Sequence, residues 1–138
     1  MTSDRKDIRL KRSTADRLLD GVKERIIEVN MSDRFVYGVN RAVVFGSYVN
    51  SDINMLGDLD IGVELKSKYE GEEHKLMCDK KCEESKLPGI IGWLCWPTEE
   101  VYRYIKNRSA YISIHNIQND SEAIFSSGIM DLPTKRDN

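Results

Sequence analysis

From Ser13 the chain reads STADRLLDGVKERIIEVN, and its apolar positions Leu18, Leu19, Val22, Ile26, Ile27 and Val29 recur at steps of three and four. That spacing predicts an amphipathic helix with one buried face. The next segment, MSDRFVYGVN (31–40), carries turn formers around a short apolar run and fits either a loop or the lead-in to a strand. RAVVFG (41–46) is short, β-branched and aromatic, and ends at a glycine, as a buried strand does. In DLDIGVEL (58–65) the period changes to two: Leu59, Ile61, Val63 and Leu65 share one side, and Asp58, Asp60, Gly62 and Glu64 share the other. The apolar side is expected to pack and the acidic side to turn away from the core.

Residues 69–86 are mostly strong helix formers, with LPG ending the segment. A second helix follows in WPTEEVYRYIKNR, with Thr98 placed to cap it behind Pro97 and Val101, Tyr104 and Ile105 on its buried face. AYISIHNI (110–117) alternates again, Ile112 and Ile114 against Tyr111, Ser113 and His115, as a half-buried strand should. A short helical stretch is expected at 120–126, with PTKRDN frayed behind it. The organisation predicted is one domain over 13–126 and a C-terminal tail over 127–138. Residues 1–12 are either a flexible arm or the start of the first helix.

A chain of 138 residues is long enough to bury one proper core without staples. Hydrophobic residues at 40% and charged residues at 32% are the balance of a soluble globular protein, not of a disordered one. A formal net charge of -2 argues against broad, sequence-independent wrapping of nucleic acid but leaves a local basic patch open. No apolar run approaches the roughly 20 residues that cross a bilayer, and the polar N-terminus has no apolar signal segment, so a cytoplasmic protein is expected. Three cysteines, an odd number, fit free thiols in a reducing compartment. His74, Cys78 and Cys82 stand at four-residue steps, which invites a metal site. Structural zinc takes four ligands and draws them from turns, so a partly buried stripe is the better account. WLCWP (93–97) reads first as packing, with an aromatic surface for base stacking as the alternative.

Asp is disfavoured in strands, and two aspartates on one side repel each other. A hard divalent cation, Mg²⁺ or Mn²⁺, is the plainest remedy, since it takes oxygen ligands. A glycine at a strand end lets backbone N–H groups approach a phosphate, and the hydroxyl of Ser47 beside Gly46 can donate to a phosphate oxygen. Together these parts suit phosphoryl or nucleotidyl transfer.

Gly46-Ser47, ten intervening residues, then Asp58-Leu59-Asp60 between apolar runs resembles the signature of the DNA polymerase beta-like nucleotidyltransferase superfamily, in particular its minimal bacterial nucleotidyltransferase-domain proteins. The resemblance is most specific over 41–65 and extends loosely across 13–117. It implies an α+β fold, a small mixed sheet flanked by helices. It also implies a nucleoside triphosphate touched by Gly46 and Ser47, metals held by Asp58 and Asp60, and transfer of an AMP-type group to a hydroxyl. Many small members are the antitoxin halves of toxin-antitoxin pairs, which implies a protein partner. Active members carry a third carboxylate on a later strand; here that strand offers Ser113 and His115, with no Asp or Glu. His115 is placed to act as a base. The alternatives are a catalytically degenerate binding or antitoxin-like regulatory module, or a nucleic-acid binder working through its basic N-terminal arm.

Overall fold

The computed structural model describes residues 10–85 and 89–136, with the backbone alone for residues 89–94. The elements in chain order are β1 (Leu10–Lys11), α1 (Arg12–Met31), β2 (Tyr37–Phe45), the one-turn helix α2 (Ser47–Asn50), β3 (Met55–Leu56) and β4 (Leu59–Ser67). They continue with α3 (Gly71–Glu84), α4 (Gly89–Lys106), β5 (Ile112–Asn116), α5 (Ile117–Ser126) and β6 (Ile129–Leu132). Four strands form one sheet in the order β5-β4-β2-β6, and β1 and β3 form a separate two-stranded ribbon. β2 is antiparallel to β4 and β6, while β4 is parallel to β5. This is the mixed sheet of an α+β fold.

The period-two pattern of β4 sorts the sheet into two faces. Leu59, Ile61 and Val63 are buried with Ala42 and Val44 of β2 and Ile112 of β5, against Leu19, Val22 and Ile26 of α1 and Val101 and Ile105 of α4. Removing each of the Leu, Ile and Val side chains among these from water contributes about 1.5–3 kcal/mol before entropy, which makes this face the main source of stability. The other face holds a smaller cluster, Val43 with Ile117 and Ile124 of α5, edged by Phe45 and Ile129. Gly62 lies beneath it: a Cβ there would stand 3.1 Å from Ile117 Cγ1 and 3.2 Å from Val43 Cγ2, so the missing side chain lets α5 settle onto the sheet.

Several elements depart from the sequence pattern. β4 starts at Leu59, the first residue paired with β5, which leaves Asp58 exposed in the turn ahead of the strand. β2 starts at Tyr37 and is interrupted by a bulge between Val39 and Arg41. There the Asn30 amide bonds both backbone groups of Val39, donating at 3.0 Å and accepting at 2.7 Å. α4 runs through Pro97, so Thr98 does not cap it; its hydroxyl donates instead to the Cys95 carbonyl at 3.1 Å. α5 begins at Ile117 behind an Asn116 cap and bends at Asp120. Residues 129–132, assigned above to the tail, form β6 against the edge of β2, where Asp131 meets Arg41 at 3.1 Å.

Leu10 is buried and Arg12 opens α1, so this end of the expected arm is ordered; residues 1–9 lie outside the described residues. The His74 stripe is a packing feature. His74 Nδ1 lies 2.6 Å from Ser67 Oγ, and its Nε2 lies 3.5 Å from the buried Cys78 sulfur. Among the described residues no three His, Cys, Asp or Glu side chains gather to hold a metal, and no helix is long and apolar enough to cross a membrane.

Candidate active site

The site begins where β2 ends. Gly46 adopts φ 80° and ψ -154°, a conformation that L side chains rarely take, and its carbonyl accepts the N–H groups of Val49 and Asn50 to close the single turn of α2. The following loop is held by Arg12, which donates through Nε to the Ile53 carbonyl, through Nη1 to Tyr48 and through Nη2 to Ser51, each at 2.9 Å. The same guanidinium stands 5.0 Å above the Tyr48 ring. Tyr48 donates its hydroxyl to Asp16, and burial together with that bond pushes its pKa up to about 12, so it stays a donor. The chain between Ser47 and Asp58 is therefore clamped on α1. Nothing in the hydrophobic pattern marks Arg12 for this, because its partners are carbonyls, which carry no sequence signature.

Asp60 sits at the centre. It is in register with Phe45 on β2 and with Ser113 on β5, so all three side chains share one face. A Cβ on Gly46 would come within 2.8 Å of Asp60 Oδ2, which means the carboxylate lies directly against the glycine turn. On its other side Asp60 Oδ1 is 3.4 Å from His115 Nε2, and the His115 ring meets Phe45 edge-on with centroids 5.1 Å apart. Burial raises the pKa of Asp60 above the ordinary carboxylate value; His115 pulls it back, and the charge of Asp58 adds to the rise. Of the residues named from the sequence, the fold gathers Gly46, Ser47, Asp60 and His115, with Asp58 beside them on the exposed approach. Glu64, farther along the strand, is engaged by Asn40 at 2.7 Å. No carboxylate of β5 joins the group; the β5 residue in register with Asp60 is Ser113.

These residues fit a cation that arrives with its ligand. A partly buried carboxylate whose charge is disfavoured, with a second carboxylate close enough to make matters worse, is relieved by a divalent ion. Mg²⁺ is commonly held by one or two carboxylates plus substrate phosphates and water, which is the donor set Asp58 and Asp60 leave to be completed. Phosphate oxygens would meet the Gly46-Ser47 turn next to them.

No curated protein and no solved structure matches this chain. The model of the nucleotidyltransferase domain matches residues 24–114, a span of about two thirds of the chain that runs from α1 into β5 and includes Gly46, Ser47, Asp58 and Asp60. With that match over this strand, turn and acidic strand, the chain belongs to the nucleotidyltransferase domain family.

Proposed function

We propose that the domain binds a nucleoside triphosphate with Mg²⁺ and moves its nucleotidyl group, of the AMP type, onto an acceptor hydroxyl. The observation that carries this is the Asp60 carboxylate, held between the Gly46 turn and His115 with its pKa raised by burial. The Gly46-Ser47 turn receives the phosphates, and Asp58 and Asp60 hold the ion. When bound, the ion neutralises phosphate charge and orients the in-line displacement. The acceptor oxygen forms a bond to the α-phosphorus as the bond to the β-phosphate oxygen breaks, and pyrophosphate leaves. His115 takes the hydroxyl proton, with Asp60 orienting its ring through Nε2.

A second account rests on Ser113, which occupies the register position beside Asp60 with a hydroxyl instead of a carboxylate: a domain that binds the triphosphate without transferring it. Incubation with each α-labelled nucleoside triphosphate and Mg²⁺ or Mn²⁺, with and without cell extract, separates the two. Label moved by the wild type and not by Asp58→Asn/Asp60→Asn supports transfer and identifies the acceptor. Metal-dependent binding lost in the double variant, without transfer, favours the sensor. Neither binding nor transfer overturns both.

A further inference from the structure

The C-terminal half of α4 and the turn behind it carry a row of cations on an aromatic floor. Arg34, Trp96, Arg103, Tyr104 and Arg108 line an open cavity of about 290 Å³. A second of about 400 Å³ lies among Arg103, Lys106 and Arg108, and a third of about 300 Å³ lies between Tyr102, Arg103 and Lys106 on one side and Ser113 and Ile114 on the other. All three share Arg103. They adjoin one another at Arg103 along α4, and the third reaches Ser113, the residue in register with Asp60.

The groove has positive charge to spare. Lys81 is shared between Glu84 at 3.2 Å and Glu100 at 3.1 Å, so Arg34, which reaches Glu100 at 3.3 Å from an exposed position, balances that group, and the spare charge lies with Lys106 and Arg108. Arg103 meets Glu99 at 3.2 Å in an exposed pair of the kind that contributes little. Arg108 has no ion pair among the described residues. The rings are interleaved with these charges: the Arg103 guanidinium stands 5.4 Å from the Trp96 ring centroid, and that of Arg34 stands 5.6 Å from Tyr104.

The backbone supplies an independent reason to connect Arg108 with a ligand. Asn107 and Arg108 follow the end of α4 with φ of 52° and 62°. Asparagine is at home in that left-handed region after a helix. Arginine is not, and holding it there carries backbone strain that glycine would avoid. A strained arginine with no ion pair among the described residues leaves its charge open to a ligand.

We propose that this groove binds a single-stranded nucleic acid, its phosphates on Arg34, Arg103 and Arg108 and a base against Trp96. A run of adjoining open cavities suits a chain better than a compact small molecule, and cations interleaved with aromatic rings are how sequence-tolerant single-strand binding is built. The near-zero net charge is compatible with this, because the cations are gathered on one surface. That the strand's end is delivered past Ser113 as the acceptor rests on the nucleotidyl-transfer reading; the binding itself does not.

The test is fluorescence anisotropy of a fluorescein-labelled single-stranded RNA of about 12 nucleotides. Three phosphate contacts predict a log-log salt slope of about -2, a loss of roughly twentyfold between 50 and 200 mM salt. Arg103→Glu/Arg108→Glu is expected to weaken RNA binding at least tenfold while leaving Mg²⁺-dependent triphosphate binding intact, and Asp58→Asn/Asp60→Asn to do the reverse. Arg108→Gly is expected to weaken RNA binding several-fold while raising Tm, which no loss of folding would produce. Trp96→Leu is expected to weaken RNA but not inorganic polyphosphate. The proposal is overturned if the charge-reversed protein binds RNA as the wild type does, or if Trp96→Leu affects RNA and polyphosphate alike. Triphosphate binding lost throughout, with RNA binding kept, removes the transfer reading and leaves the groove standing.

Discussion

The two sides of β4 are built from adjacent residues and obey different rules. Leu59, Ile61 and Val63 are sealed under α1 and α4, where a site is defined by the volume it fills. Asp60 and Gly62 point the other way, where two glycines matter for the volume they leave. Gly62 admits Ile117 and Ile124 of α5, and Gly46 admits the Asp60 carboxylate. The domain thus separates its stability from its chemistry across one strand. Substitutions on the packed face should unfold the protein without changing what it binds, and those on the open face should change binding out of proportion to stability.

The largest effect expected is Ile61→Ala, which leaves a cavity under α1 and α4 and costs about 2–5 kcal/mol. Chemical denaturation gives the loss, and triphosphate affinity measured well below the lowered Tm should stay within about twofold of wild type, since any removed stabilisation is uniform. A parallel loss of affinity would show that the faces are coupled. Gly46→Ala is the counterpart. It places a Cβ 2.8 Å from Asp60 Oδ2 at a φ of 80°, so it should cost about 1–2 kcal/mol of stability. It should also weaken Mg²⁺-dependent triphosphate binding at least tenfold by titration calorimetry, and unchanged affinity would remove the turn from the site.

Arg12→Met tests the clamp with a smaller effect. It keeps the aliphatic stem and deletes the guanidinium that meets the carbonyls of Tyr48, Ser51 and Ile53. Each lost bond to a charged donor is worth at most about 1.5–3 kcal/mol, and part is recovered from water. Amides 48–54 should exchange with solvent about tenfold faster and triphosphate affinity should fall several-fold, while exchange in α1 beyond its first turn stays put. Faster exchange throughout α1 would mean that the arginine holds the helix and not the loop.

The same division explains what was legible in the sequence. Alternation along β4 and the amphipathic step of α1 are local, so the packed face could be read directly, and so could the spacing of Gly46, Ser47, Asp58 and Asp60. What escaped depends on partners distant in the chain. Residues 129–132 are too short to announce a strand and become one only because the edge of β2 is free to pair. Arg12 could be read as the end of an arm or the start of the first helix, and it opens α1, but its clamping role is fixed by carbonyls some forty residues away. α4 continues through Pro97 because its apolar face packs on the sheet, a tertiary gain that outweighs a single helix breaker. The groove cations were hidden in a charge sum that cancels. Arg12, His115, α5 and β6 also fall outside residues 24–114, so the family match bears on the acids and the turn and not on these.

The finest test of the comparison is the stability of Asp60→Asn without ligand. Burial lifts the pKa of Asp60 above the ordinary 3.8, so the folded chain keeps this proton to a higher pH than the unfolded chain does. Charging Asp60 therefore opposes folding: its contribution worsens as pH rises from 3.8 through the raised value and is constant above it. Asn has no charge to bury and can still accept from His115. At neutral pH in metal-free buffer the variant should match or exceed wild type, by about one to a few degrees in Tm, and the gap should close as pH falls towards 3.8. Adding Mg²⁺ with triphosphate should invert the order, since ligand that binds only the wild type stabilises it by mass action. A variant less stable than wild type at neutral pH without ligand would mean that the Asp60–His115 contact holds the fold together, and the open face would then be one more piece of core.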